Sequence, residues 1–374
     1  MTIFPYRPSS LVAKISWLTG VAKTYSSERR TELRSTPRLN LSAGFSFAGD
    51  KAIDARQLIA RSAGEIAVPD WRYAQIIAPG FSATSLTVEV DLSYFFMEEG
   101  ASVLVWVDDS TYTATTIASI NGSYITLAEG PATAYSGAVL MRLYDAVVNG
   151  ELLLEVRRSD YVEASLDVTV VNYEDLQSRF SAGEFSGDYI AARNVILNSH
   201  SFTTASGYSN VDFEVGVISP VQVKATGEYT DTLQFNPGSG KELMETEAIF
   251  HKLKGRLNSF WKPTWLSDFS LHSPASAGNL FLRVHPVPEG ADIPAVSIEL
   301  VDGSVYYYAV SSWESFTDYT QLSLVDPIAN GFDAVDVVTI SLVRRARLDT
   351  DDAVFRFDGV GSASVRATTY EVPL

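Results

Sequence analysis

The chain has 374 residues, enough for two or three domains with sizeable cores, and its 46% apolar and 20% charged content is that of a folded globular protein. With 28 lysines and arginines against 45 aspartates and glutamates, the formal charge of −17 disfavours a nonspecific hold on nucleic-acid phosphates. The lack of cysteine excludes disulfides and thiolate metal sites, and no apolar run approaches the roughly 18 residues of a membrane span.

Residues 1–8 form a Pro-rich arm, and Pro5, Arg7, Pro8 and Lys14 interrupt any signal-peptide core, so the chain is expected to be made in the cytoplasm without membrane insertion. After Ser9 or Ser10 as N-cap, Leu11, Ile15, Leu18 and Val21 recur at helical spacing and predict an amphipathic helix whose apolar face needs a neighbour. The charged stretch Ser27–Arg34 reads as a second helical piece ended by Pro37, with Arg29, Arg30, Arg34 and Arg38 at a solvated or subunit-facing end. With Trp17, these are the candidate assembly residues: Leu11, Ile15, Trp17, Leu18, Val21, Arg29, Arg30 and Arg34.

Leu39, Leu41, Phe45 and Phe47 alternate as in a strand, and Ile53–Ala63 reads as a short helix stopped by Gly64. Pro69 and Trp71 then make a Pro-X-Trp corner, a place where proline begins or ends a strand and tryptophan supplies an apolar plate. Short β-branched or alternating runs follow at 85–90, 101–107, 111–120 and 124–127, with turn signals at Asp108-Asp109-Ser110 and Asn121-Gly122.

In the middle, 151–156, 164–172, 195–202 and 211–223 are strand candidates, 178–187 is loop-like, and Pro220 marks an edge or a break. Thr230–Phe235 predicts a strand, Pro237–Gly240 a loop, and Leu243–Leu257 a helix with a stripe of Ile249, Phe250, Leu253 and Leu257. A second corner, Pro263 and Trp265, opens a second β-module, and 354–357 and 364–372 are closing strands.

The second corner lies 194 residues after the first, and at that same offset Val107-Asp108-Asp109-Ser110 falls on Val301-Asp302-Gly303-Ser304. Agreement of order and spacing over several elements points to an internal duplication. The expected class is therefore mainly β with a few short helices: two duplicated antiparallel β-modules with an intervening β segment. The divisions are 1–36 (arm and helix), 37–150 (first module), 151–226 (connecting or inserted segment), 227–345 (second module) and 346–374 (closing strands).

Chemistry-bearing patterns are weak. His200, His251, His272 and His285 show no metal spacing, and Gly238-Ser239-Gly240-Lys241 lacks the residues of a phosphate loop. Asp349, Asp351 and Asp352 lack the glycine and distal glutamate of a calcium loop. Tyr306–Tyr308 with Trp313, or Tyr94–Phe96, could stack on sugars, though alternate strand residues face opposite sides. The reading is no enzyme, no cofactor and no bound metal.

Phe4-Pro5-Tyr6-Arg7-Pro8, then Ser16-Trp17-Leu18-Thr19, Ser27-Glu28-Arg29-Arg30, Leu33-Arg34 and Pro37-Arg38, resemble the opening of tail proteins of long-tailed bacteriophages. Phe260-Trp261-Lys262-Pro263-Thr264-Trp265 with Asp268, and Glu371-Val372-Pro373, resemble that family's corner and ending; Gly20 departs from the acidic residue expected there. The resemblance implies a virion protein of the distal tail or tail-tip type, forming a homo-oligomeric ring and meeting tube, hub and fibre proteins. On this reading the arm and helix serve assembly, and the β-modules fold without residues 1–22. The alternative is a receptor- or carbohydrate-binding tail module.

Overall fold

A computed structural model describes residues 2–23, 27–62, 64–77, 86–94, 97–130, 135, 137–158, 160–179, 182–191, 202–205, 208–211, 219–222 and 228–372. Of the strand candidates 195–202 and 211–223, residues 195–201, 212–218 and 223 lie outside the described residues, as do Pro131, His200 and Pro373. The fold is mainly β, with two α-helices among the described residues.

The N-terminal segment corrects the sequence reading. It opens with β1 (Thr2–Ile3) and β2 (Ser10–Ser16), followed by the hairpin of β3 (Thr19–Lys23) and β4 (Glu28–Glu32). Ala13, Ile15, Trp17 and Thr19 are buried at every second position, which is a strand period, so neither the amphipathic helix nor the charged helical piece forms.

The first half continues with β5 (Arg38–Ala48), α1 (Gly49–Arg61) and β6 (Glu65–Pro69), then β7 (Gln75–Ile76), β8 (Thr87–Glu89), β9 (Ser102–Asp108) and β10 (Thr111–Asn121). It closes with β11 (Tyr124–Leu127), β12 (Val139–Val148), β13 (Leu153–Arg158) and β14 (Tyr161–Val170). Ser62 accepts no further turn of α1; its Oγ donates to the Ile59 carbonyl, and Gly64 leaves at φ +89° as the sequence signal requires.

Among the described residues, two short strand pairs lie in the middle, β15 (Glu184–Phe185) with β16 (Asp188–Tyr189) and β18 (Tyr208–Val211) with β19 (Ser219–Gln222), together with β17 (Phe202–Ala205). β17 pairs with β20 (Glu228–Phe235), and α2 (Gly240–Leu253) and β21 (Ser259–Pro263) follow. Last come β22 (Phe281–Val284), β23 (Ala295–Leu300), β24 (Val305–Ser315), β25 (Thr320–Leu324), β26 (Val337–Leu348), β27 (Asp352–Gly359) and β28 (Ser362–Glu371).

The two halves repeat one pattern of pairing. β14 pairs with β5 and β12 as β28 pairs with β20 and β26, and β12 takes β6 and β9 as β26 takes β21 and β23. Individual hydrogen bonds recur. Asp70 N–H donates to the Arg142 carbonyl and Thr264 N–H to that of Leu342; Phe4 N–H donates to Ala67, and Ala191 N–H to Trp261. Asp108 Oδ1 accepts the Ser110 N–H at 2.8 Å, and Asp302 Oδ1 that of Ser304 at the same distance. Residues 153–170 therefore sit in the first half as 354–371 sit in the second, and β17 occupies beside β20 the place that β2 occupies beside β5. The sheet pairing thus does not set 151–170 apart as a connecting segment.

β2 is the seam between the halves. All seven of its residues face β5, from Ser10↔Gly44 to Ser16↔Arg38, and six face β27, from Leu11↔Phe357 to Ser16↔Asp352. Side chains reinforce this: Ser16 Oγ donates to Asp352 Oδ1 at 2.7 Å, and Asp351 Oδ2 accepts the Thr19 N–H at 2.8 Å. One hydrophobic core runs through both halves, from Phe4 and Ile15 through Leu39 and Val168 to Phe250, Phe355 and Val365. A second core under β22–β25 belongs to the second half alone.

Removing residues 1–22 would take out this central strand, so such a deletion reports on folding rather than on assembly. Ile15 is fully buried. Ile15→Ala should destabilise the chain by about 2–5 kcal/mol in denaturant unfolding. An unchanged midpoint would mean that Ile15 lies outside the core.

Candidate functional site

The two corners begin alike and then diverge. Pro69 ends β6 opposite Leu143, and Pro263 ends β21 opposite Val343, so each proline sits where the ladder no longer needs its N–H. Trp71 then starts a single 3₁₀ turn and meets Trp106 edge-on at 5.0 Å, whereas Trp265 adopts φ +54°, an unusual conformation for a bulky side chain, and packs on the main core. Asp268 holds the second corner, accepting from the Leu342 N–H at 2.8 Å and from the Thr264 hydroxyl.

The first corner opens onto a buried polar network that joins the halves. Arg72, 1% exposed, donates through Nε and Nη2 to the two Asp70 oxygens at 2.8 and 2.9 Å. Its Nη1 donates to Glu247 Oε1 on α2 at 2.8 Å. Tyr173 donates its hydroxyl proton to Glu247 Oε2 at 3.1 Å and lies 3.4 Å from His251 Nε2. His251 Nδ1 meets the Leu176 N–H and Asp175 Oδ1, each at 3.1 Å. Burial alone would lower the Arg72 pKa, and Asp70 and Glu247 outweigh it, so the guanidinium stays charged. Burial pushes the Tyr173 hydroxyl well above its ordinary value, and the Glu247 charge adds to this.

Sequence makes α2 suitable for this position. Ser239 caps its start, accepting the Glu242 N–H at 3.3 Å, while Glu242 Oε2 accepts the N–H of Gly238, the residue before the cap, at 2.8 Å. The Gly-Ser-Gly-Lys stretch is thus a helix start. Leu243, Ile249, Phe250 and Leu253 are buried along with Glu247 and His251, and Lys254 ends the helix at φ +50°.

The candidate assembly residues do not form one surface. Ile15 and Trp17 are in the core, and Trp17 meets the His251 ring edge-on at 5.5 Å. Leu11 and Val21 are half-buried, while Leu18 is exposed. Arg29 is exposed; Arg30 lies 3.5 Å from Glu28, and Arg34 donates to the Ser16 carbonyl. Glu28 itself receives a two-pronged bond from buried Arg347, at 2.7 and 2.8 Å. The acidic turn is also internally matched: Asp351 takes the Arg256 N–H at 2.9 Å, and Asp352 takes Lys14 at 2.8 Å. Among the described residues, no group of three or more His, Asp or Glu is placed to hold a metal, and no helix is long and apolar enough to cross a membrane.

Tyr306–Tyr308 splits between two sides of its strand. Tyr308 is buried and its hydroxyl accepts the Ala329 N–H, Tyr306 accepts from Asn330, and Tyr307 packs toward Phe185. The exposed aromatic group lies elsewhere, at the β24–β25 turn, where sequence reasoning did not look. Phe316 stacks on Tyr319 at 4.7 Å, His272 tilts against Tyr319 at 5.3 Å, and the Arg283 guanidinium lies 5.1 Å from the Tyr319 ring centre. A cleft of about 260 Å³ borders β20, β21 and β26; four of its charged residues form two ion pairs, Lys262–Asp231 and Arg344–Glu371, and the fifth, Asp268, accepts the Leu342 N–H.

No protein-family model matches the chain, and no curated protein matches its sequence.

Glu247→Ala should cost about 3–5 kcal/mol in urea unfolding, because it leaves part of a buried guanidinium unpaired; a loss under about 1 kcal/mol would show that water reaches Arg72. Acid should act through Asp351. Burial raises its carboxyl, and hydrogen bonds from Arg256 and Thr19 outweigh that and hold it below the ordinary value. Its folded pKa is therefore lower than its unfolded one, so its stabilisation is complete above about pH 4 and is lost as pH falls through the folded value. Asp351→Asn should be less stable at neutral pH and lose less on acidification than the parent. Parallel acid limbs would overturn this assignment.

Proposed function

We propose that this chain is a structural subunit of the distal end of a bacteriophage tail, a distal-tail or tail-tip ring component that self-assembles and joins the tail tube to the tip or fibres. The observation that carries the reading is architectural. The strand pairings of the two halves follow one pattern, and the halves share β2 edge to edge, a form of joining that can continue from chain to chain. The motif set at both ends of the sequence supports the tail assignment. The charged side chains best placed for chemistry, Arg72, Glu247 and His251, are buried at 0–1% exposure and act as a joint between the halves.

The group of exposed Phe316 and His272 around half-buried Tyr319 favours a second reading, a receptor- or carbohydrate-binding module, and relocates that reading from Tyr306–Tyr308. A glycan array separates the two: a binding module gives hits that Tyr319→Ala abolishes, and a scaffold gives none.

Immunogold electron microscopy with antibody to this chain should place label at the tail tip of intact particles. Well-resolved particles without label, under conditions in which disrupted particles are also blank, would overturn the virion role.

A further inference from the structure

The two junctions implied by the repeated module are not equally filled. At the first, β2 lies between β5 of one half and β27 of the other. At the second, β17 lies against β20, but among the described residues β13, the counterpart of β27, pairs only with β14. Where β2 covers β27, Phe355 is fully buried and Phe357 is partly buried against the core. On β13 the same two positions are Leu154, half-buried, and Val156, 72% exposed; Leu153 beside them is 53% exposed. An edge with unpaired backbone groups and apolar side chains is a template for another strand.

The helices show the same asymmetry. α2 is buried on nearly every side at the first junction, whereas its counterpart α1 buries only Ala52 and Ala55 and leaves Ile53 58% exposed. Arg72 is enclosed beside α2; 194 residues on, at the corresponding place after the second corner, Leu266 is 50% exposed. Among the described residues, strand edge, helix face and corner are all filled at one junction and open at the other.

We infer that the β13 edge of each subunit receives the β17–β20 edge of a second copy of this chain, repeating between subunits the junction that β2 makes within one. The contact is head to tail, since two different surfaces meet, so it propagates from copy to copy and gives a ring when its rotation closes. The first junction sets the register. Ala13 pairs with Leu41 and Phe355, and Lys14 with Asn40 and Val354. Phe202 pairs with Asp231 and Thr203 with Thr230 at the equivalent positions of β20, and Leu154 and Leu153 hold the places of Phe355 and Val354. Thr203 of one copy thus faces Leu153 of the next. This deepens the ring reading above and rests on its self-association alone, whatever the ring's place in a virion.

The absence of native cysteine allows a clean test. Directly opposed antiparallel residues have Cα atoms about 4.5–5.5 Å apart, within disulfide range. Full-length Leu153→Cys and Thr203→Cys chains, folded by circular dichroism, are mixed and oxidised, and each is oxidised alone. The expected result is a shift from the one-chain to the two-chain band on non-reducing gels in the mixture only. The double variant should give a series of covalent multimers. A two-chain band from Leu153→Cys alone would mean like edges pair, and a disulfide inside single double-variant chains would mean the module pair closes on itself; either overturns the inference. No cross-link, while native mass spectrometry shows an oligomer of the parent, overturns this interface and leaves ring formation standing. No cross-link with a monomeric parent overturns both.

Discussion

Everything in this molecule depends on a seven-residue strand being hydrogen-bonded along both edges. β2 holds β5 on one side and β27 on the other, so each half contributes one wall of a shared sheet. Backbone pairing of this kind is indifferent to side-chain identity but strict about register, since a one-residue slip would turn Ala13, Ile15 and Trp17 out of the core. The buried ion pairs then act as locks on an arrangement that the strand defines. Asp351 fixes the start of β3, just past β2, through Thr19 and reaches α2's exit through Arg256, and Arg72 ties the first corner to the middle of α2 through Glu247.

These buried charges are better understood as specifying the arrangement than as sources of net stability. A charge pair removed from water recovers little beyond its desolvation cost, but a half-pair left behind is expensive. Arg72 has carboxylates on two sides, from its own corner and from the opposite half, so a displaced α2 would leave Glu247 buried and unmatched. The corresponding position in the repeat, Leu266, carries no such constraint. The first corner has been fitted to a fixed neighbour inside the chain, and the second has not.

Much of the frame was legible from residues. The alternation at Leu39–Phe47, the helix stopped before Gly64 and the turn at Asp108-Asp109-Ser110 are local signals, and the structure contains each of them. The N-terminal segment was misread because Leu11, Ile15 and Leu18 fall at helical spacing, while the true inward series includes Ala13 and Thr19, too small or too polar to reveal a period of two. β4 hid because its inward residue, Glu28, is charged and finds Arg347 only in the folded chain, 319 residues away. The same holds for Arg72 and Glu247, separated by 175 residues: each alone looks like a solvated charge. The likeness between the β13–β14 and β27–β28 pairings was not legible, because loop lengths shift the offset there and no corner or turn motif marks the match.

The seam strand also has a history in time. On the ribosome β2 is made early, and its second partner is made 336 residues later, which at about 5–20 residues per second is a wait of roughly 15–70 s. During that interval the first half can close on β5, yet the outer edge of β2 is bare. Chains growing side by side on one message would each hold an open edge just as others release a β27, so exchange of that last hairpin between neighbours is the characteristic error of this topology. Rapid capture of β27 by its own chain, aided by the Asp351 and Asp352 contacts beside it, is what separates a correct subunit from an entangled pair.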